Sequence, residues 1–301
     1  MITKRTVLIL GAGSSAHVGY PLGRNLVNAL CAKRGSGTSN DFPMGWTDEN
    51  VDHFLTRLSR AGHYSIDAFL ETVPKQADLG KYLIARELKR NEDLNKLFPP
   101  NNSGWYQYLF NSLLEQNKPS GFKSSTLSII TFNYDRSLEA YLHESLMARF
   151  NMSPNDASST LAQIPIVHVH GSLGHYPEIP YESDCTSEKL FEISQKIKII
   201  HDVSEPLNGF CNPEFEKANK LLNESERIFF LGFGFHPDNI RRFQFFEPDK
   251  TAERQIYATT TEMGSVDIQA LISRLQPLGF GAAILKGNSC NEFFSHVAAL
   301  Q

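Results

Sequence analysis

No CxxC pair occurs in the sequence, and its four cysteines, Cys31, Cys185, Cys211 and Cys290, stand far apart. That scatter excludes a disulfide framework and a zinc ribbon, and it points to a reducing compartment. Long apolar runs are missing too: no stretch approaches the roughly 20 residues a membrane helix needs. The opening Met-Ile-Thr-Lys-Arg leads into an apolar run too short for a signal peptide. A cytoplasmic protein with no membrane contact is expected. Charge of one sign is also lacking, with 29 basic against 33 acidic side chains and a net charge of −4. Without a Lys/Arg stripe to track phosphates, direct nucleic-acid binding is not expected. Internal repeats and low-complexity tracts are absent.

What is present is ordinary globular material. Apolar residues make up 41% and charged residues 21% of 301 positions, enough for a large buried core and too apolar for a disordered chain. Val7-Leu8-Ile9-Leu10 is a continuous aliphatic run ended by Gly11, which suits a strand buried on both faces of a parallel sheet. From Pro21 the apolar spacing (Leu22, Leu26, Val27, Leu30) becomes helical. Residues 34–50 read as a loop. Helical spacing then recurs at Val51–Leu58, Ile66–Val73, Tyr82–Leu88 and Trp105–Leu114 with no strand among them.

Alternation resumes with strands predicted at Leu127–Phe132, Ile164–Val169, Arg227–Leu231, Gln255–Ala258 and Gly281–Leu285. Helices are predicted at Arg136–Ala148, Pro213–Asn223 and Val266–Leu275. The fold class that follows is α/β, a Rossmann-like doubly wound parallel sheet with an all-helical insertion. Residues 1–301 are expected to form a single domain carrying that insertion at residues 50–120.

Chemistry concentrates where strands end. Gly11-Ala12-Gly13-Ser14-Ser15 follows the first strand and precedes a helix, an arrangement that lets backbone N–H groups and a helix N-terminus meet a pyrophosphate. Glycines also serve tight turns for steric reasons alone, so this loop by itself leaves both readings open. No acidic residue of the dehydrogenase type ends a second strand, which counts against an ordinary Rossmann oxidoreductase. Asn133 and Asp135 follow the Leu127 strand; an Asx-turn and a helix N-cap are their structural alternatives. His170 follows the Ile164 strand. His168, two residues earlier, falls on the same face if the strand stays regular; it is assigned to packing or to support of the site, since no third ligand with metal spacing accompanies it.

The order and wording of these segments resemble a known family. Gly11 through Pro21 to Arg24 reads GAG-x-S-x-x-x-G-x-P-x-x-R and resembles the first NAD-binding motif of sirtuins. Thr131-Phe132-Asn133-Tyr134-Asp135 is similar to the sirtuin Thr-Gln-Asn-Ile-Asp motif, and His170-Gly171 to its His-Gly. Leu231-Gly232-Phe233-Gly234-Phe235-His236 is a looser match to a glycine-containing strand end that contacts the dinucleotide. Ser65-Ile66-Asp67-Ala68-Phe69-Leu70 resembles a short helical motif of bacterial sirtuin-like proteins of antiphage defence. Departures are equally informative. The paired cysteines of deacetylating sirtuins are missing, Gly23 stands for an aromatic and Phe132 for a glutamine.

The resemblance therefore implies the defence-associated branch that hydrolyses NAD to ADP-ribose and nicotinamide. It assigns Asn133 and His170 to catalysis, and Gly11, Ala12, Gly13, Ser15, Pro21, Arg24, Asp135, Gly232 and Gly234 to NAD binding, with no metal. An exposed surface arginine is the alternative for Arg24, and a plain loop histidine for His236. NAD is expected as substrate. Control by a homo-oligomer or by a partner such as a HerA-type ATPase or an Argonaute-like protein is implied. ADP-ribosyl transfer, cyclisation and a non-catalytic NAD or ADP-ribose scaffold are the alternatives. A nuclease ranks last, because no carboxylate cluster suits two-metal cleavage.

Overall fold

The computed structural model describes residues 2–35, 42–63, 65–100, 104–199, 213–235, 239, 255–261, 268–269, 271, 273, 284–285, 289–296 and 300. Its centre is a six-stranded sheet formed by β1 (Thr6–Leu10), β2 (Leu127–Thr131), β3 (Ile166–His168), β4 (Arg227–Leu231), β5 (Gln255–Ala258) and β6 (Ile284–Leu285). All pairs are parallel, in the order β3-β2-β1-β4-β5-β6. This is a Rossmann-like α/β fold. The strand order reverses direction between β1 and β4, and ligands of open α/β sheets bind beyond the strand ends at such a point.

The unbroken apolar run of β1 has a physical reason: every residue of β1 and of β4 is buried. Alternate side chains enter two separate cores. Leu8, Leu10, Ile129, Phe229 and Leu231 face the larger one, to which helices both before and after β2 contribute; Val7, Ile9, Ile130, Ile228 and Phe230 face the other, with Phe215, Ala218 and Leu222. Covering both faces of the sheet is what a doubly wound arrangement requires.

Between β1 and β2 the described regular elements are helical: α1 (Gly23–Cys31), α2 (Asp48–Arg60), α3 (Ile66–Thr72), α4 (Ala77–Arg90), α5 (Leu94–Leu97), α6 (Trp105–Ser112) and α7 (Ser120–Ser124), with short 3-10 turns. Local chemistry sets their starts. The Thr47 hydroxyl accepts from Asn50 N while the Asn50 side chain accepts from Thr47 N, a reciprocal cap. Ser65 caps α3 through Ala68 N at 3.2 Å.

After β2 come α8 (Ser137–Phe150), α9 (Pro154–Leu161), α10 (Ser187–Ser194), α11 (Pro213–Asn223) and α12 (Cys290–His296). Among these, α9, α10 and α12 lie where no helix is predicted. In α9 only Ala157 and Leu161 are buried, too few to show a stripe; it is started by Ser153, whose hydroxyl accepts from Asp156 N. The strand predicted at Ile164–Val169 is shorter than expected, and most of the helix predicted at Val266–Leu275 lies outside the described residues. No described helix is long and apolar enough to cross a membrane.

Candidate functional site at the strand ends

The register levels the strand ends, since Leu10 pairs with both Thr131 and Leu231, and Thr131 with His168. Whatever follows each strand therefore meets at one edge of the sheet. Gly11 N–H donates to Leu231 O at 3.0 Å and Gly13 N–H to Gly232 O at 2.9 Å. A Cβ on Gly11 would stand 2.6 Å from Gly232 O, and one on Gly13 2.8 Å from Gly232 Cα. Gly232 adopts φ +58, and its Cβ would meet Ser14 N at 2.1 Å. These three glycines permit backbone to pack on backbone. The N–H groups of Gly11 and Gly13 close onto β4; Ala12, between them, faces cavities on both sides of the loop. Trp105 of α6 braces the loop, its indole N–H donating to Ser14 O at 2.8 Å.

Asn133 reaches across from β2. Its Nδ2 donates to Gly11 O (3.1 Å), Ser14 Oγ (3.2 Å) and Ser15 Oγ (3.4 Å). A carbonyl oxygen only accepts, so the amide orientation is forced by Gly11. The nitrogen end is held by the protein, and Oδ1 is the end left to accept from a ligand or a water. Asp135 is buried, and both of its oxygens are engaged: Oδ2 accepts from Ser15 Oγ at 2.8 Å, Oδ1 from Ser137 N at 3.0 Å and from Ser137 Oγ. Burial raises its carboxyl above the usual range despite those bonds. Asp135 thus organises the turn into α8 without being its N-cap, which is Arg136, while still lining the cavity.

His170 is buried, its ring edge-on to Phe132 at 5.4 Å and to Phe215 at 5.8 Å. Gly171 makes the sharp departure after it: its φ is +70, and a Cβ there would lie 1.9 Å from Lys196 O. His168 does not accompany His170. The strand stops at His168, whose ring turns to α8, with Nδ1 2.9 Å from Asn133 O and Nε2 2.6 Å from Glu139 Oε1. Among the described residues no three His, Cys, Asp or Glu side chains gather as a metal would require.

A cavity of about 320 Å³ collects Gly11, Ala12, Ser15, Pro21, Asn133, Asp135, His170 and Gly234 of the sequence-assigned residues. A second, of about 610 Å³, lies on the other side of the loop and includes Ala12, Gly13, Gly232 and Gly234. Ala12, Gly23, Phe233 and Gly234 belong to both. Arg24, on the first turn of α1, is exposed and lines neither. His236 lies outside the described residues, whereas Phe229, Phe230, Phe233 and Phe235 near it in sequence are core.

Sequence reasoning missed Asp67 and Tyr20. Asp67 lines the first cavity with one oxygen 2.5 Å from Tyr134 Oη, and burial raises its carboxyl. Tyr20 lines it too, its hydroxyl 2.9 Å from that of Tyr181. The helical motif around Ser65 was the available signal for Asp67, and it carried no role. In the second cavity the exposed His17 packs on Trp105 and Tyr106.

A parallel sheet of Rossmann order, with a cavity where that order reverses, is the arrangement in which open α/β sheets bind their ligands. Residues 127–273 match the SIR2-like domain family, and over that stretch the chain is similar to sirtuin-like proteins. The match holds Asn133, Asp135, His170, Gly232 and Gly234; the glycine loop lies outside it, tied to it by the Asn133 amide. No curated protein matches the chain.

Proposed function

We propose that the chain hydrolyses NAD at the bond between nicotinamide and ribose, releasing nicotinamide and ADP-ribose. The observation that carries this reading is the convergence of Asn133 and His170 on one cavity, whose wall includes Gly11 and Ala12 of the loop. The nicotinamide riboside half belongs in that cavity. The adenosine half belongs in the larger one beyond Ala12, with the diphosphate crossing at the loop and at the N-terminus of α1, where Gly23 faces both cavities.

In the reaction the C1′–N bond breaks with its electron pair leaving on the nicotinamide nitrogen, through an oxocarbenium-like ribose. Asn133 Oδ1 accepts from a water or a ribose hydroxyl beside C1′, because Nδ2 is fixed on the loop. His170, walled by Phe132 and Phe215, takes the proton as the water oxygen bonds to C1′. Residues 1–301 act as one catalytic unit, with residues 50–120 as a helical insertion whose Trp105 supports the loop.

The proposed setting is an NAD-depleting effector of antiphage defence, held inactive through oligomerisation or by a separate partner protein of the HerA ATPase or Argonaute-like kind. The test is to incubate the purified chain, alone and with candidate partners, with NAD. Nicotinamide and free ADP-ribose in equal amounts are expected. Label on a macromolecule would establish transfer, a cyclic product cyclisation, and tight NAD binding without turnover a scaffold; each overturns hydrolysis.

A further inference from the structure

His168 is a half-buried imidazole that the proposed chemistry leaves unused, and it touches the back of the residue that chemistry depends on. Nδ1 faces the main-chain carbonyl of Asn133 at 2.9 Å, and Nε2 faces Glu139 Oε1 at 2.6 Å. A carbonyl can only accept, so Nδ1 carries a proton. An ionised carboxylate can only accept as well, so Nε2 carries the second. We infer that His168 is a positioning residue, a doubly protonated imidazole clamped between Glu139 and the Asn133 carbonyl that fixes the β2-to-α8 turn and aims the Asn133 amide.

The chain of contacts is continuous: Glu139 on α8, His168 at the end of β3, the Asn133 carbonyl, and the Asn133 amide on Gly11 O. The charged and titratable groups around the ring agree with this state. Burial opposes the charge on His168, but the Glu139 carboxylate and its hydrogen bond, with the Asn133 carbonyl and the charge of Asp135, outweigh it and raise the imidazole above its usual range. Burial likewise opposes ionisation of Glu139; His168, and beyond it Arg136, hold the carboxyl below its usual range. Tyr106, whose hydroxyl is 2.7 Å from Ser137 Oγ, is fully buried on the same side and stays neutral, its phenol pushed up by burial.

When His168 loses the proton on Nε2, a ring lone pair and a carboxylate oxygen face each other across 2.6 Å. They repel, the ring withdraws, and the Asn133 carbonyl loses its donor. Turnover should therefore fall as pH rises through the raised value of His168, a limb opposite in sign to the one a base such as His170 imposes, since a base acts only once unprotonated.

This inference rests on the hydrolysis reading for its kinetic arm and is independent of it in its spectroscopic arm. Imidazole 15N shifts of the whole chain should show His168 still doubly protonated where an ordinary imidazole is half titrated, at about pH 6.5, and Glu139→Gln should convert it to a neutral ring there. In nicotinamide release, Glu139→Gln should lower kcat about ten-fold or more with KM little changed, and shift the alkaline limb toward acid. Glu139→Asp, which keeps the charge, should recover part of the rate and of the limb, and this guards against misfolding of the amide variant. A neutral His168 in the parent chain overturns the inference, as does a Glu139→Gln profile that superimposes on the parent's. A doubly protonated His168 in a chain that releases no nicotinamide overturns hydrolysis and leaves the clamp established.

Discussion

Asn133 Nδ2 lies 3.1 Å from the carbonyl oxygen of Gly11, although 122 positions separate the two residues. Nearly all of that separation is the helical region between β1 and β2, so the contact forms only when the sheet closes β2 onto β1. One amide thereby joins the part of the chain that matches SIR2-like domains to the loop that does not. Its oxygen is the end left to accept from a ligand, because its nitrogen is committed to the loop.

Removing that amide should separate stability from chemistry. Asn133→Ala is expected to cost about 1 kcal/mol of folding free energy through the lost hydrogen bonds, and about 100-fold or more in nicotinamide release. Asn133→Asp, nearly the same shape, should be worse for stability, because an acceptor then faces the Gly11 carbonyl. Denaturant unfolding and product release measure the two effects. Full turnover by Asn133→Ala would end its assignment to catalysis.

The glycines beyond β4 should behave oppositely to each other. A Cβ on Gly232 collides with Ser14 N at 2.1 Å, whereas a Cβ on Gly234 has no neighbour within 4 Å among the described residues. Gly232→Ala should therefore fold poorly or not at all. Gly234→Ala should melt like the parent chain yet bind NAD more weakly, since its added methyl enters space lining both cavities. Calorimetric titration and thermal melts decide it; unchanged affinity in Gly234→Ala would place the dinucleotide elsewhere.

The strands were legible because each is short, β-rich and stopped by a turn signal: Arg227–Leu231 and Gln255–Ala258 fall where predicted. Their order was not, since nothing in the runs themselves says that β4 rather than β3 pairs with β1. Asn133, Asp135 and His170 were legible as residues after strands. What they touch was hidden, for Ser15, Ser137 and Glu139 are ordinary residue types whose meaning comes from long-range contact. His168 shows the limit well. Period-two spacing puts it beside His170, but the strand ends at that residue, and the two rings go separate ways.

Asp67 should reveal itself through pH. Burial raises its carboxyl above the unfolded value, partly offset by the hydrogen bond from Tyr134. Between the unfolded and the folded value the native state holds the extra proton, so stability falls as pH rises across that interval and the penalty persists above it. Asp67→Asn removes the penalty while an amide oxygen still accepts from Tyr134. The variant should melt higher than the parent at pH 8, and the gain should vanish below about pH 4, near the unfolded carboxylate value. A gain independent of pH would show that the carboxyl is not destabilising. Slower nicotinamide release in the same variant is the expected functional counterpart.

Arg136 follows Asp135 directly and is almost wholly buried, with Nη2 2.5 Å from Glu92 Oε1 and Nη1 2.5 Å from Ile179 O. The other Glu92 oxygen accepts from Lys89 Nζ and, at 2.9 Å, from Glu182 N. This network fastens the end of α4 and the 179–182 segment to the start of α8, immediately behind the cavity. Deleting one member leaves the others charged in a region water does not reach, so Glu92→Ala should cost about 3–5 kcal/mol. The exposed pair Lys189–Glu192, at 2.9 Å, is the comparison: Glu192→Ala should leave the unfolding midpoint where it was. Denaturation midpoints at fixed ionic strength separate the cases. Equal, small effects from both would mean that Arg136 finds water or another partner, and that the turn carrying Asn133 and Asp135 is held by the sheet alone.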